Sequence, residues 1–120
     1  MTVKEFYEYI GGNYNSALAT MMNDAFIMRM LSKFVSKNAY EDIISSFEAD
    51  NYRGVFEASH ALKGVCGNLS LTPLFDISSK ICEATRTLKE GEKANIEKEI
   101  NELKEIYKKV ADAINELLNL

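Results

Sequence analysis

Residues 96–117, IEKEINELKEIYKKVADAINEL, place Ile96, Ile100, Leu103, Tyr107, Val110, Ile114 and Leu117 at alternating steps of four and three. At about 100° per residue, such steps keep every apolar side chain on one stripe of a helix. A strand would need alternation in steps of two. A stripe this regular is the seam of a helix packed nearly parallel to its neighbours in a bundle. The spacing predicts a last helix from about Lys93 to Leu118.

Working back from that helix, Thr72 and Pro73 read as an N-cap and a first helical residue, since proline's missing N–H would be unpaired there anyway. The helix they open is expected to run over about 72–90 and to stop at Gly91 in a left-handed conformation. Before it, Asp50 or Asn51 should cap a helix reaching Leu69. Asn38 should restart the chain into a helix from about Ala39 to Ala49. Asp24 reads as the cap of AFIMRMLSKFVS, in which Ile27, Met30, Leu31 and Phe34 recur at helical spacing. At the N-terminus, Thr2 and Glu5 have the spacing of a capping box, and the helix they begin should end at Gly11-Gly12. A second short helix is expected from Asn15 to Met22. The whole is all-α: an up-down antiparallel four-helix bundle over about 24–118, built from the 24–49 segment and the helices at 51–69, 72–90 and 93–118. Short covering helices occupy about 1–22. The chain of 120 residues, with no internal repeat or linker, reads as a single domain.

Composition excludes several function classes. The apolar fraction of 47% is that of a folded globular chain, not a disordered one. A net charge of −4 speaks against a nucleic-acid surface, which needs clustered Lys and Arg. The N-terminus lacks the apolar core of a signal peptide, and no run is long enough to span a membrane, so the expected compartment is the cytoplasm. Cys66 and Cys82 are too few for a disulfide framework or a four-ligand zinc site; both fall on or beside apolar stripes and read as buried free thiols. One histidine and two cysteines give no ligand set for a metal or haem bundle. No Walker-type glycine-rich loop is present, so the chain is no ATP-dependent kinase in itself.

Chemistry concentrates in the 51–69 helix. Val55, Ala58, Ser59, Leu62, Val65, Cys66 and Leu69 gather on one side as a core stripe, and His60 points almost directly away from it. Around His60 on the outer face lie Phe56 one turn before, Lys63 and Gly64 one turn after, Gly67 beyond, and Arg53 two turns back. Interior helical glycines cost roughly 1 kcal/mol each relative to alanine. Neither Gly64 nor Gly67 faces the expected core, so packing inside the domain does not account for them. With Phe56 they form a flat, partly apolar patch suited to another protein's surface. The missing side chain at Gly64 opens access to the imidazole, a competent nitrogen nucleophile when neutral. The ammonium of Lys63 suits a group of about −2 charge such as a phosphoryl. A lone surface histidine on a helix ordinarily does nothing, and it is this surround that sets His60 apart.

The run HALKGVCGNLS, residues 60–70, resembles the histidine motif of the histidine-containing phosphotransfer (HPt) family. There a histidine is followed by an aliphatic residue, lysine and glycine, then a small residue, and later a leucine ahead of glycine or serine. Here those are His60, Leu62, Lys63, Gly64, Cys66, Leu69 and Ser70. YIGGNYNSALATMMND, FIMRMLSKFV, FEADNYRGVFEASH and LTPLFDISSKICEATR resemble the family's framework, so the likeness covers nearly the whole chain. Cys66 stands where Ala or Ser is commoner and Ser70 where Gly is frequent, both small replacements.

The resemblance implies a phosphotransfer intermediate rather than a self-contained enzyme. It would accept a phosphoryl group from the aspartyl phosphate of a receiver domain and pass it to an aspartate of another. His60 would carry the group on its outer ring nitrogen, Lys63 would stabilise it, and Gly64 would leave room for the partner, with Gly67, Phe56 and Arg53 on the docking face. Partners would be receiver domains of response regulators or hybrid histidine kinases, bringing their own Mg²⁺; the chain itself would need no cofactor. A monomer is expected, since the last helix's seam is accounted for by the other helices. Met1 and the complete bundle favour a stand-alone chain. Two rivals are an HPt-fold adaptor that docks a receiver without being phosphorylated, and a generic bundle that dimerises through its last helix.

Overall fold

The computed structural model describes residues 1–119, and those residues form seven helices and no strand. They are α1 (Val3–Ile10), α2 (Tyr14–Met21), α3 (Asp24–Ser36), α4 (Tyr40–Glu48), α5 (Tyr52–Asn68), α6 (Thr72–Thr85) and α7 (Glu97–Leu118). α5 packs on α4 and α6, α6 on α7, and α7 on α3. The bundle thus has four positions, one of them shared by α3 and α4 in succession. The all-α bundle expected from the apolar spacing is the fold observed.

Side-chain caps set most helix starts. Thr2 Oγ1 accepts from Glu5 N at 3.1 Å while Thr2 N donates to Glu5 Oε1 at 2.8 Å, a complete capping box. Gly11, at φ +75°, ends α1 as expected. Asn13 caps α2 and Asn51 caps α5. α3 is capped by Asn23, one residue before the expected Asp24, which is the first helical residue and instead accepts the Tyr14 hydroxyl at 2.6 Å. Asn38 makes the joint between α3 and α4. Its Nδ2 donates to Phe34 O and to the Tyr107 hydroxyl, both at 2.8 Å, and its Oδ1 accepts from Tyr40 N at 2.8 Å. Tyr40 and Tyr107 stack at 3.8 Å, tying the joint to α7.

Three expected boundaries are corrected. Thr72 does not cap α6; Leu71 occupies the cap position without a side-chain bond, and Thr72 and Pro73 lie inside the first turn. Leu71 is fully buried, so packing fixes the chain there ahead of capping chemistry. α6 ends at Thr85, well short of 90, and α7 begins at Glu97 rather than Lys93. Between Arg86 and Asn95 only Leu88 and Ala94 are aliphatic, so a helix there would have no stripe to bury. The segment instead folds into turns. Gly91 does adopt φ +84°, beside a turn closed by Glu92 N donating to Lys89 O at 3.0 Å.

The core runs through every helix. On α7, Ile100, Leu103, Val110, Ile114 and Leu117 are buried as the spacing requires, with Ile96 buried just ahead of them and Tyr107 half-buried. Cys66 and Cys82 are buried free thiols, and desolvation pushes the Cys66 thiol up to about 12. α1 is more than a cover, because Phe6 and Tyr7 are among the largest fully buried side chains. The Tyr7 hydroxyl donates to Leu69 O at 2.7 Å, and Asn13 N donates to Ser70 O at 3.1 Å. α1 and the residue capping α2 therefore satisfy the carbonyls exposed where α5 turns into α6.

Tyr7→Phe should destabilise the protein by about 1–2 kcal/mol, because it leaves the Leu69 carbonyl without its buried donor. Urea unfolding checks this; an unchanged midpoint would mean that water or another donor satisfies the carbonyl.

Candidate functional site

α5 divides into two faces. Val55, Ser59, Leu62, Cys66 and Leu69 are buried at steps of four and three, and His60 is exposed on the opposite side. One member of the expected stripe falls out of it: Val65 is 42% exposed, whereas Ala58 is half-buried and packs against the core. The reason is the length of α4. A β-carbon on Gly54 would come within 2.5 Å of Ser46 Oγ, which sets α4 against the first half of α5. With nine residues α4 has run out before Val65, on the same side of α5 further along, can be covered. Gly54 is thus a close-approach glycine that sequence spacing did not single out.

The other glycines of α5 part ways. A β-carbon at Gly64 would meet nothing within 4 Å, so the space one turn beyond His60 is open. At Gly67 it would lie 3.3 and 3.4 Å from the Phe75 ring of α6. Packing inside the domain therefore does account for Gly67, contrary to the expectation, although the residue is also exposed.

Phe56 lies 6.0 Å from the His60 ring, centroid to centroid, with planes tilted by 33°. The Arg86 guanidinium sits 5.4 Å from the centroid of the same Phe56 ring. Arg86 is held by Glu83 through Nε at 3.0 Å and Nη2 at 2.9 Å, both to Oε1. That fork holds the Glu83 carboxyl below its ordinary range, with a smaller contribution from the charge of Lys63. Lys63 is half-buried, with its Nζ 5.9 Å from the Phe75 ring centroid. His60 thus stands in a row of aromatic and cationic groups contributed by two helices.

Of the expected site residues, Phe56 and Gly64 lie one turn before and one turn after His60, with the Phe56 ring beside the imidazole, while Lys63 on that next turn holds its Nζ over the Phe75 ring. Arg53 lies two turns back. Its side chain is 87% exposed and paired with Glu57 at 3.1 Å, and it lines a groove of about 570 Å³ with Phe56, Arg86 and Lys89. The groove reaches Phe56 and stops short of His60. Arg86 and Phe75 come from α6, and their approach to α5 could not be read from the periodicity of α5 alone. The signal available was the hairpin itself: α5 and α6 are joined by so short a turn that they must be antiparallel neighbours.

The Hpt domain family model matches residues 29–113. The chain belongs to the Hpt domain family. The match spans α4, α5 and α6 whole, takes in most of α3 and α7, and leaves α1 and α2 outside it. No curated protein and no solved structure matches the chain. Membership assigns this Hpt domain a phosphotransfer role in two-component signalling. No helix among the described residues is long and apolar enough to cross a membrane.

Gly64→Ala should stabilise the Hpt domain by roughly 0.4–1 kcal/mol through helix propensity and a less flexible unfolded chain. Gly67→Ala should gain less or nothing, because its methyl crowds Phe75. Thermal unfolding of both variants checks the contrast, and equal gains would show that Phe75 yields freely.

Proposed function

We propose that His60 accepts a phosphoryl group from a receiver domain's aspartyl phosphate and passes it to an aspartate of a second receiver. The observation that carries this reading is the exposed His60 beside open space at Gly64, on a helix inside the family match. In the forward step the outer ring nitrogen attacks phosphorus and an N–P bond forms. The P–O bond to aspartate breaks, its electron pair leaves with the carboxylate, and the proton of the other ring nitrogen is free to pass to solvent. The reverse sequence, on another receiver, returns the group to a carboxylate.

Each neighbour has a role that follows from its position. Lys63, one turn on, supplies a cation to the incoming dianion. Gly64 clears the path over the imidazole. Phe56 lies beside the ring, and Ala61 and Val65 add an exposed apolar flank against which a partner can lie. Among the described residues nothing encloses the histidine, which is exposed and so suits a group that must be reached by two proteins in turn. The receivers, with their own Mg²⁺, would supply the rest of the electrostatic stabilisation.

His60→Gln should abolish acid-labile phosphate incorporation from a phosphorylated receiver while shifting stability by no more than about 0.5 kcal/mol, as expected for an exposed side chain. Retained incorporation would end the proposal. A wild-type chain that binds the receiver yet incorporates nothing would identify an unphosphorylated adaptor.

Lys63→Ala should leave receiver affinity nearly intact, since a single charge contact that solvent still reaches is worth little in the ground state. It should slow transfer or shorten the lifetime of the phosphorylated form. Unchanged rates in both directions with an unchanged lifetime would reduce Lys63 to a solvated lysine. Gly64→Gln adds a complementary check, raising the melting temperature while weakening docking or transfer; wild-type transfer from a more stable protein would show that Gly64 is no clearance.

A further inference from the structure

Two contacts fix the register of α5 against α6: Gly67 against Phe75 at one end of the pair, and Phe56 under Arg86 at the other. Both fit one antiparallel alignment, which sets His60 level with Cys82. Cys82 is buried; Phe75 and Arg86 both reach α5, and at helical spacing the α6 stripe between them carries Ser79 and Glu83. Glu83 is therefore a carboxylate on the face where a phosphoryl group would stand. It lies in the row that also holds Lys63 and Arg86, and its Oε1 accepts from both Nε and Nη2 of Arg86.

We propose that Glu83 is a resident counter-anion that competes with a phosphoryl group on His60 for Arg86, and so sets how readily the histidine is charged. The inference rests on the reading of His60 as the phosphoryl acceptor. Arg86 is the cation best placed to move. Its side chain is 42% exposed, and its guanidinium rests on Phe56, the ring adjoining His60. A dianion offers a planar guanidinium more charge and more acceptor oxygens than a single carboxylate does. As the phosphoryl group arrives, the fork to Glu83 opens and the guanidinium turns along Phe56 toward His60. Glu83 then stands unpaired beside a like charge, which disfavours the charged state of the carrier. Glu83 and Arg86 are positioning residues: Glu83 acts only through the cation it holds and the field it imposes.

Phosphoramidate tests this without a receiver. The imidazole nitrogen attacks its phosphorus, the P–N bond of the donor breaks, and the leaving nitrogen takes the imidazole proton and departs as ammonia. Decay follows by attack of water on phosphorus with the imidazole leaving. The quantity to measure, by ³¹P NMR on the intact chain, is the ratio of the phosphorylation rate to the hydrolysis rate.

Glu83→Gln should raise that ratio about two- to fivefold at low salt, the range open to an exposed charge contact, with the gain shrinking as salt is added. Arg86→Ala should lower the ratio, and Glu83→Gln made in that background should recover less than half of its own gain. An unchanged ratio in Glu83→Gln overturns the proposal. A full gain in the Arg86→Ala background overturns it too, since plain repulsion without competition would then explain the effect. Failure of wild type to acquire phosphate on His60, with His60→Gln as the blank, would sink the parent reading. Phosphorylation with an unmoved ratio would sink only the role of Glu83.

Discussion

Where α5 turns back into α6 the chain must leave one helix and enter another within a few buried residues. Leu69, Ser70 and Leu71 are all buried there, and Ser70 takes a left-handed φ of +56°. Every backbone group in such a turn needs a partner, because an unpaired buried carbonyl costs about as much as a lost hydrogen bond. The partners are present: Leu71 N donates to Cys66 O at 2.9 Å, Ser70 N to Gly67 O at 3.2 Å, Tyr7 Oη to Leu69 O at 2.7 Å and Asn13 N to Ser70 O at 3.1 Å. With the turn pinned, the register of the two helices follows, and with the register the set of α6 side chains that can stand beside His60. α1 lies outside the segment matched by the family, yet it supplies one of the bonds that hold this turn.

The two faces of α5 answer to different demands. The inner face is specified by volume: Val55, Leu62 and Cys66 are fully buried, and truncating Leu62 to alanine would cost on the order of 2–5 kcal/mol. The outer face is specified by what is missing. An alanine at position 64 would be more stable than the glycine found there, and the structure offers no internal neighbour that forbids it. A stability cost without an internal cause is the kind of local inconsistency that marks sites working on something outside the molecule. At Gly67 the Phe75 ring supplies an internal cause, and the same inference loses its force.

Sequence legibility followed the same division. Periodicity found the helices, the α7 seam and the direction of His60, because burial of a stripe is a local consequence of spacing. The HALKGVCGNLS run found the family. Boundaries failed where tertiary packing overrode local chemistry. Buried Leu71 took the cap position from Thr72, and the absence of an apolar stripe beyond Thr85 ended α6 early although Gly91 offered a later stop. Val65 failed for a related reason, since its burial depended on how far α4 extends and not on α5 at all. Gly54, Phe75 and Arg86 were invisible for want of the pairing that gives them neighbours.

The early end of α6 is the misreading with the largest consequence for the site. A helix continued to 90 would have made Arg86 an interior residue, its own backbone fully committed to the ladder. In the structure Arg86 is the C-cap of α6. A positive charge at that end is favoured by the partial negative charge of the helix C-terminus. From the helix end the side chain reaches across to Phe56 while Glu83, three residues back, holds it by a fork that solvent surrounds. The guanidinium is thus stationed on the ring that adjoins the histidine, with Nη2 also reaching Cys82 Sγ at 3.8 Å. The turns that follow carry Lys89 and Lys93 along the edge of the same groove, where Lys93 reaches back to Asp50 just before the α5 cap. The irregular segment is thus what lets one end of α6 present positive charge alongside the outer face of α5.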